Sequence, residues 1–397
     1  MDGVAALDRT AANGIALRDE DKAAVTTTAI KSLRDQNLRI KLLRSLTSVI
    51  YHRSYYDPDA AQFCTMLLFE LACNNSGISI QVQNSAASAA GNGKTAVLVW
   101  GFAGSSFGLL QPTLKFYERR HPSWRRLAAI GVGLTMADVA EENQRQIDEL
   151  VQALEGIDKL VVHVFSNFGH MNWVRVAQAR PDVFHDKLAA CVYDCAADPG
   201  TGGEGISSPE QFAYVIVDTV WMCIGANNLK LKDLKTGDEL SAFTPDRLRP
   251  PIEKAAAYCA EGFGDKFMAS SGTTFGWQAE HEPAVPTLCL TSPGDRIIKE
   301  AAVEKFADLL RNGARSRCIR VASLKGPHCQ LLASGFDLYA KEHSALVAIA
   351  QLSADGAADG GQEGEVGTAH ALGFLTYDDV QKEIEEEEGD ALAALGF

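Results

Sequence analysis

The chain is predicted to be an α/β protein: a parallel sheet with helices on both faces, interrupted late by one long helical insertion. Three observations carry this. Strand-like runs alternate with helix-like segments from residue 96 to about residue 352. The central runs are continuous, apolar and rich in β-branched residues, as in strands buried on both faces. The connection from Pro199 to Pro286 is far too long for a simple crossover.

Taken in order, residues 1 to about 20 hold few large apolar side chains and are expected to be disordered. From Asp21 to about Cys73 the pattern is helical, with Ile30, Leu33, Leu38, Leu42, Leu43 and Leu46 recurring at helical intervals. This stretch, together with the start of the chain (residues 1–77), reads as a helical extension packed on the main domain. A partner-binding helix is the alternative. Ile78–Val82 alternates as a strand does, and Asn84–Gly93 is a loop of small and polar residues. Gly91-Asn92-Gly93-Lys94-Thr95 is no phosphate loop, because Ser88 stands where the motif needs glycine and the segment precedes a strand.

Further strands are expected at Ala96–Trp100, Leu127–Gly131, Leu160–Phe165, Leu188–Tyr193, Thr287–Leu290 and Cys318–Val321. Helices are expected at Ala137–Leu154, His170–Ala179, Ala301–Leu310 and Leu338–Leu352. The insertion, about residues 200–285 of a main domain spanning 78–352, opens on Gly200, Gly202, Gly203 and Gly205. It then turns helical near Glu210–Ile224 and Pro251–Gly262, which suits a cap over a pocket.

Apolar content of 46% and charged content of 22% are those of an ordinary globular chain. The formal charge of −14 is a property of the end of the chain. Residues from Ser353 on hold 12 Asp/Glu and one Lys, a net of −11, which leaves −3 for the rest. This tail, 353–397, is expected to stay unfolded, and with the cap it is a candidate contact for a protein partner. No dominant basic face is evident, so nucleic-acid binding is not expected. The cluster Arg119, Arg120, His121, Arg125 and Arg126 reads as solvated surface, with a phosphate or acidic headgroup contact as its alternative.

Nine scattered cysteines form no C-x-x-C pair, which argues against zinc ribbons and redox motifs and for a reducing compartment. Neither a secretory signal nor an apolar run of membrane-spanning length is present. A cytoplasmic protein is expected, with nuclear or internal-membrane association as alternatives.

The chemistry centres on Leu160–His170, LVVHVFSNFGH. A buried strand ends at Phe165, Ser166 follows at its tip, and a helix comes next, which is the layout of a nucleophile elbow. The usual G-x-S-x-G reads here Val164-Phe165-Ser166-Asn167-Phe168, with the nearest glycine one place late, at Gly169. Two further groups follow strand ends: Asp295 in Ser292-Pro293-Gly294-Asp295-Arg296, and His328 in Gly326-Pro327-His328. Ligands of open α/β sheets gather at those ends, and Ser, Asp, His is the chain order of α/β-hydrolases. Serine is a weak nucleophile until a histidine takes its proton, and a carboxylate must orient that histidine. Trp100–Ser105, a loop bracketed by Gly101 and Gly104, offers the amides of Phe102 and Ala103 for an oxyanion hole, with the Asn167 amide as the other donor.

Each assignment has a plainer counterpart. Ser166 could cap its helix, and Asp295 could be a turn residue paired with Arg296. Asp194, at the end of Leu188–Tyr193, is the rival acid. His163 reads as a core histidine and His170 as a polar lining residue. The expected activity is hydrolysis of an ester, thioester or similar small acyl substrate through an acyl-enzyme, needing neither metal nor organic cofactor. A catalytically silent scaffold that binds a partner protein is the alternative.

Four blocks also resemble the transmembrane protein 53-like family, an α/β-hydrolase-related family of unknown function. They are WGFAGSS at 100–106, HVFSNFG at 163–169, YDCAADPG at 193–200, and SPGDRII at 292–298 paired with GPH at 326–328. The resemblance covers Ala96 to Ile349. It implies an α/β-hydrolase fold with Ser166, Asp295 and His328 as the reactive set. The family's elbow usually reads F-S-N-G-G, so Phe168 replaces its first glycine and is expected to crowd the neighbouring strand. The block usually reading D-S-x-P-G is two residues longer here, at Asp194–Gly200.

Overall fold

Seven strands form one sheet, in the order β1-β3-β2-β4-β5-β8-β9. They are β1 Ser79–Gln83, β2 Thr95–Trp100, β3 Arg125–Ile130, β4 Lys159–Phe165, β5 Leu188–Asp194, β8 Thr287–Thr291 and β9 Ile319–Ser323. All neighbours pair in parallel except β1, which runs antiparallel to β3 at the edge. A computed structural model describes residues 3–73, 79–83, 94–131, 140–196, 209–226, 229–232, 239–241, 245–312 and 319–356. The loop 84–93, the glycine-rich start of the insertion, Cys318 and the tail from 357 on lie outside them.

Strand alternation sorts the core onto two faces. Leu98, Trp100, Val162, Val164, Cys191, Tyr193 and Cys289 point one way, into a layer that holds α6 (Ala140–Ala153), α7 (Ser166–Ala179) and α11 (Glu300–Arg311). Val97, Val99, Val161, Phe165, Val192, Leu288 and Leu290 point the other way, toward α5 (Phe107–Arg120) and α13 (Phe336–Gly356). In α11 the buried Ala302, Val303, Phe306, Ala307 and Leu310 recur every three or four residues, so one stripe meets the sheet. This is the largely parallel sheet anticipated from the sequence, with helices on both faces.

The start of the chain departs from expectation. Gly3–Asn13 is a helix (α1), not disordered, and it packs against α2 (Asp19–Ser32) and α3 (Gln36–Arg53). Its buried side chains include Ala6, Leu7 and Ala11, and small residues suffice because the helices approach closely. A β-carbon on Gly3 would lie 2.7 Å from the Val25 α-carbon.

Following α4 (Pro58–Cys73), the chain enters the sheet at β1. The long connection between β5 and β8 is helical, as predicted. It holds α9 (Pro209–Ala226), a two-stranded hairpin of β6 (Lys230–Lys232) and β7 (Glu239–Ser241), and α10 (Pro245–His281). Helices α9 and α10 pack on each other and on α4, and α10 also meets α3, α7 and α11. The N-terminal helices and the insertion therefore form one helical mass on one face of the sheet. Helix α13 runs through residues 353–356, into the segment expected to be tail. Among the described residues no helix is long and apolar enough to cross a membrane.

The basic cluster is less solvated than its composition implied. Arg126 is buried and pairs with Glu118 at 3.1 Å, and Arg125 donates to the carbonyls of Ala153 and Glu155. His121 stacks on Trp124, while Arg119 and Arg120 stay exposed.

Candidate active site

The carboxyl ends of β4, β5, β8 and β9 converge on one spot. Strand β4 ends at Phe165, and Ser166 opens α7 with φ of +59°. A residue with a β-carbon in the left-handed region costs about 1–3 kcal/mol and persists only where the surroundings enforce it. Here the sheet before it and the helix after it do so. Ser166 does not cap α7; the cap position is Phe165, which makes no side-chain cap bond.

Gly169 explains how the turn closes without a glycine at position 168. A β-carbon on Gly169 would lie 2.9 Å from Gly101 O and 3.0 Å from Trp100 O, so the first turn of α7 lies directly against the end of β2. Phe168 is half-buried and packs with the apolar side chains on the α7 face of the sheet.

His328, past the end of β9, joins two of the predicted residues. Its Nε2 lies 3.0 Å from Ser166 Oγ, and its Nδ1 lies 2.7 Å from Asp295 Oδ2. The other carboxylate oxygen, Oδ1, accepts the amides of Ile297 at 2.7 Å and Ile298 at 3.0 Å. Asp295 is therefore held at both oxygens, and Arg296 beside it is exposed. Burial lowers the His328 pKa, but hydrogen bonds to Asp295 and Cys195, with the Asp295 charge, outweigh it and raise the value to about 10.

Asp194, the rival acid, faces away. Its position in β5 alternates with Tyr193, so it points toward α13, where Oδ2 accepts Tyr339 OH at 2.9 Å. His163 lies in the same patch, bonded to Tyr117 OH at 2.9 Å and Tyr339 OH at 3.2 Å, as a core histidine should be. His170 is fully buried, so it lines no open surface. Its Nε2 meets Gln278 Oε1 at 2.6 Å on α10, and burial lowers its pKa to about 3.

The loop after β2 is pinned on both sides of the two amides singled out from the sequence. Gly101 N donates to Ala129 O at 2.9 Å, and Gly104 N, at φ of +79°, donates to Cys73 O at 3.2 Å. Among the described residues no backbone acceptor is found for the amides of Phe102 and Ala103. Asn167 lies in the first turn of α7, where the N–H groups carry the positive end of the helix dipole.

Two residues of this spot had no role in the sequence reading. Cys195 directly follows β5 at φ of +49°, and Cys329 directly follows His328 at φ of +56°. The Cys195 sulfur lies within 4.8 Å of a ring nitrogen of His328 and of a carboxylate oxygen of Asp295. The bond from Cys329, then burial, lifts the Cys195 thiol well above its usual range. A cysteine immediately beyond a strand end, and another beside the site histidine, were the available signals.

No protein-family model and no curated protein matches the sequence. Similar solved structures include a thermophilic esterase from Thermogutta terrifontis, 15% identical, covering 69% of this chain and 93% of its own at a TM-score of 0.39. An enol-lactonase from Burkholderia xenovorans is 14% identical over 68% of this chain and 96% of its own, at a TM-score of 0.41. An esterase of Pyrococcus furiosus is 11% identical over 68% of this chain and 89% of its own, at 0.42.

Proposed function

We propose that the chain is a serine hydrolase acting on esters, thioesters or related small acyl compounds. The observation that carries the reading is the unbroken hydrogen-bonded line Asp295–His328–Ser166, ending on a serine held at positive φ at a strand tip. His328 Nε2 takes the Ser166 proton as Oγ attacks the carbonyl carbon. The tetrahedral oxyanion is met by the amides of Phe102 or Ala103 and of Asn167. His328 then passes the proton to the leaving oxygen or sulfur, and water releases the acyl group by the same route in reverse. Asp295 holds the ring tautomer and offsets the imidazolium charge. None of these steps calls on a metal or organic cofactor.

Helices α9 and α10 act as the cap that selects the acyl group. The four sequence blocks support placing the chain near the transmembrane protein 53-like family, and free thiols at the described cysteines suit a reducing, cytoplasmic setting. A crowded elbow at Phe168 and an acidic tail suit the alternative, a catalytically silent scaffold that binds a partner protein. Against it, the close approach of the helix to β2 falls at Gly169, which favours the hydrolase reading.

Labelling of the purified chain with a fluorophosphonate probe tests the reading. Wild type should label at one serine, and Ser166→Ala and His328→Ala should each abolish it. A folded wild type that stays unlabelled would overturn the proposal.

A further inference from the structure

Cys195 does more than fill space at the end of β5. Its sulfur, a ring nitrogen of His328 and a carboxylate oxygen of Asp295 all lie within 4.8 Å of one another. Each comes from a different strand end, and the three are widely separated in sequence. Cys195 and Asp295 are buried, while the His328 side chain keeps 15% of its surface exposed.

Packing alone gives no reason for a cysteine at φ of +49°, a conformation that glycine or asparagine adopts more readily. Strain of this kind gathers at functional sites. The proposed hydrolysis has no task for a thiol beside an imidazole that already has its serine and its carboxylate.

We propose that Cys195, His328 and Asp295 form a site for a zinc-class divalent cation that switches the serine off; the switching rests on the hydrolase reading, the site does not. One sulfur, one imidazole nitrogen and one carboxylate oxygen make the mixed donor set that zinc favours. Calcium and magnesium, which prefer all-oxygen shells, fit it poorly. The two amides on Asp295 Oδ1 orient the carboxylate as supporting groups around a metal do. On binding, the Cys195 S–H bond and the N–H bond of the His328 nitrogen that the ion takes both break, their protons leave to water, and the sulfur and the nitrogen take metal bonds. The same ion claims a ring nitrogen of His328 and the carboxylate that orients the ring. Ser166 then has no group to receive its proton. Removal of the ion restores the line.

The test uses the full chain, reduced and freed of metal by a chelator that is then removed. Cobalt(II) should give a thiolate-to-metal charge-transfer band at one equivalent, absent in Cys195→Ala. X-ray absorption of the zinc-loaded wild type should show one sulfur at about 2.3 Å among nitrogen and oxygen ligands near 2.0 Å. Zinc should slow fluorophosphonate labelling, with half-inhibition in Cys195→Ala needing at least about tenfold more metal. If that variant fails to fold, Cys195→Ser, close in volume, replaces it.

A charge-transfer band that persists in the Cys195 variants, a shell without sulfur, or labelling indifferent to zinc would overturn the proposal. The two readings fail separately. A band without labelling of metal-free protein sinks the hydrolase and leaves the cation site; labelling without band or inhibition does the reverse.

Discussion

His328 faces the opening of α7 and His170 lies within it, and their partners divide them. His328 bonds to the serine that starts the helix and carries a carboxylate, Asp295, on its other nitrogen. His170, one turn along, is bonded to the neutral amide of Gln278 and stacked on Phe275. Desolvation acts on both rings. Where a carboxylate opposes it the pKa rises to about 10, and where an amide stands instead it falls to about 3. The comparison teaches that a buried histidine becomes a proton carrier through the charge set beside it, while one without that charge serves as a neutral strut.

The sharpest way to break the contrast is to give His328 the neutral partner that His170 has. Asp295→Asn keeps the size but removes the charge and presents a donor or a weaker acceptor to Nδ1. The rate of probe labelling should fall about 10³–10⁴-fold. Asp194→Asn, at the rival acid that faces Tyr339, should leave the rate nearly unchanged. If the Asp194 variant proves the more damaging, the assignment of the acid is wrong.

The strut side should respond in stability instead. Glu282 on the segment after α10 accepts Trp173 Nε1 at 2.7 Å and Gln278 Nε2 at 2.8 Å, and Gln278 Nε2 also reaches Tyr193 OH. Glu282→Ala leaves these buried donors without their acceptor, at about 1–3 kcal/mol for each group stranded. Urea denaturation should show that loss. An unchanged midpoint would mean the tie between α10 and α7 is not what holds the insertion down.

The same two histidines set opposite pH dependences. His170, with its folded pKa lowered to about 3, and His121, lowered to about 4 by burial, stay neutral while the unfolded chain begins to protonate near 6.5. Their contribution is whole above about pH 6.5 and is lost as pH falls toward those folded values, at up to about 1.4 kcal/mol per pH unit for each. His328 has a raised folded pKa, so its contribution is whole below about 6.5 and is lost as pH rises through about 10. Denaturation midpoints across pH should therefore fall on both flanks. His170→Gln should flatten the acid flank alone. In metal-free protein, labelling should quicken as pH rises toward 10, because only the neutral ring accepts the Ser166 proton.

Much of this site was legible because its residues sit where strands end. Ser166, Asp295 and His328 could be placed by chain order and by the apolar runs before them, with no knowledge of distances. The choice between Asp295 and Asp194 was less open than it looked. Residues 190, 192 and 194 share one face of β5, and that face belongs to α5 and α13. Helix α1 escaped notice because its buried residues are Gly3, Ala6, Leu7, Thr10 and Ala11, with a single large apolar side chain among them to mark the period. The convergence of Cys195 on His328 was out of reach, since nothing local reports which strand ends become neighbours.

The smallest expected effects test how the elbow tolerates Phe168. The familiar motif puts its glycine two places after the serine, because there the helix would strike the neighbouring strand. In this chain the contact falls one place later. A β-carbon on Gly169 meets two backbone carbonyl oxygens at 2.9 and 3.0 Å, and neither can swing aside as a side chain would. Gly169→Ala should therefore cost about 1–3 kcal/mol of stability, and the same shift should slow labelling by displacing Ser166. Phe168→Ala removes a half-buried ring, a loss of about 1–2 kcal/mol at most. Labelling in that variant should stay near wild type. If instead Phe168→Gly sped labelling while Gly169→Ala changed nothing, the close approach would have been assigned to the wrong residue, and the elbow would be a strained version of the usual one.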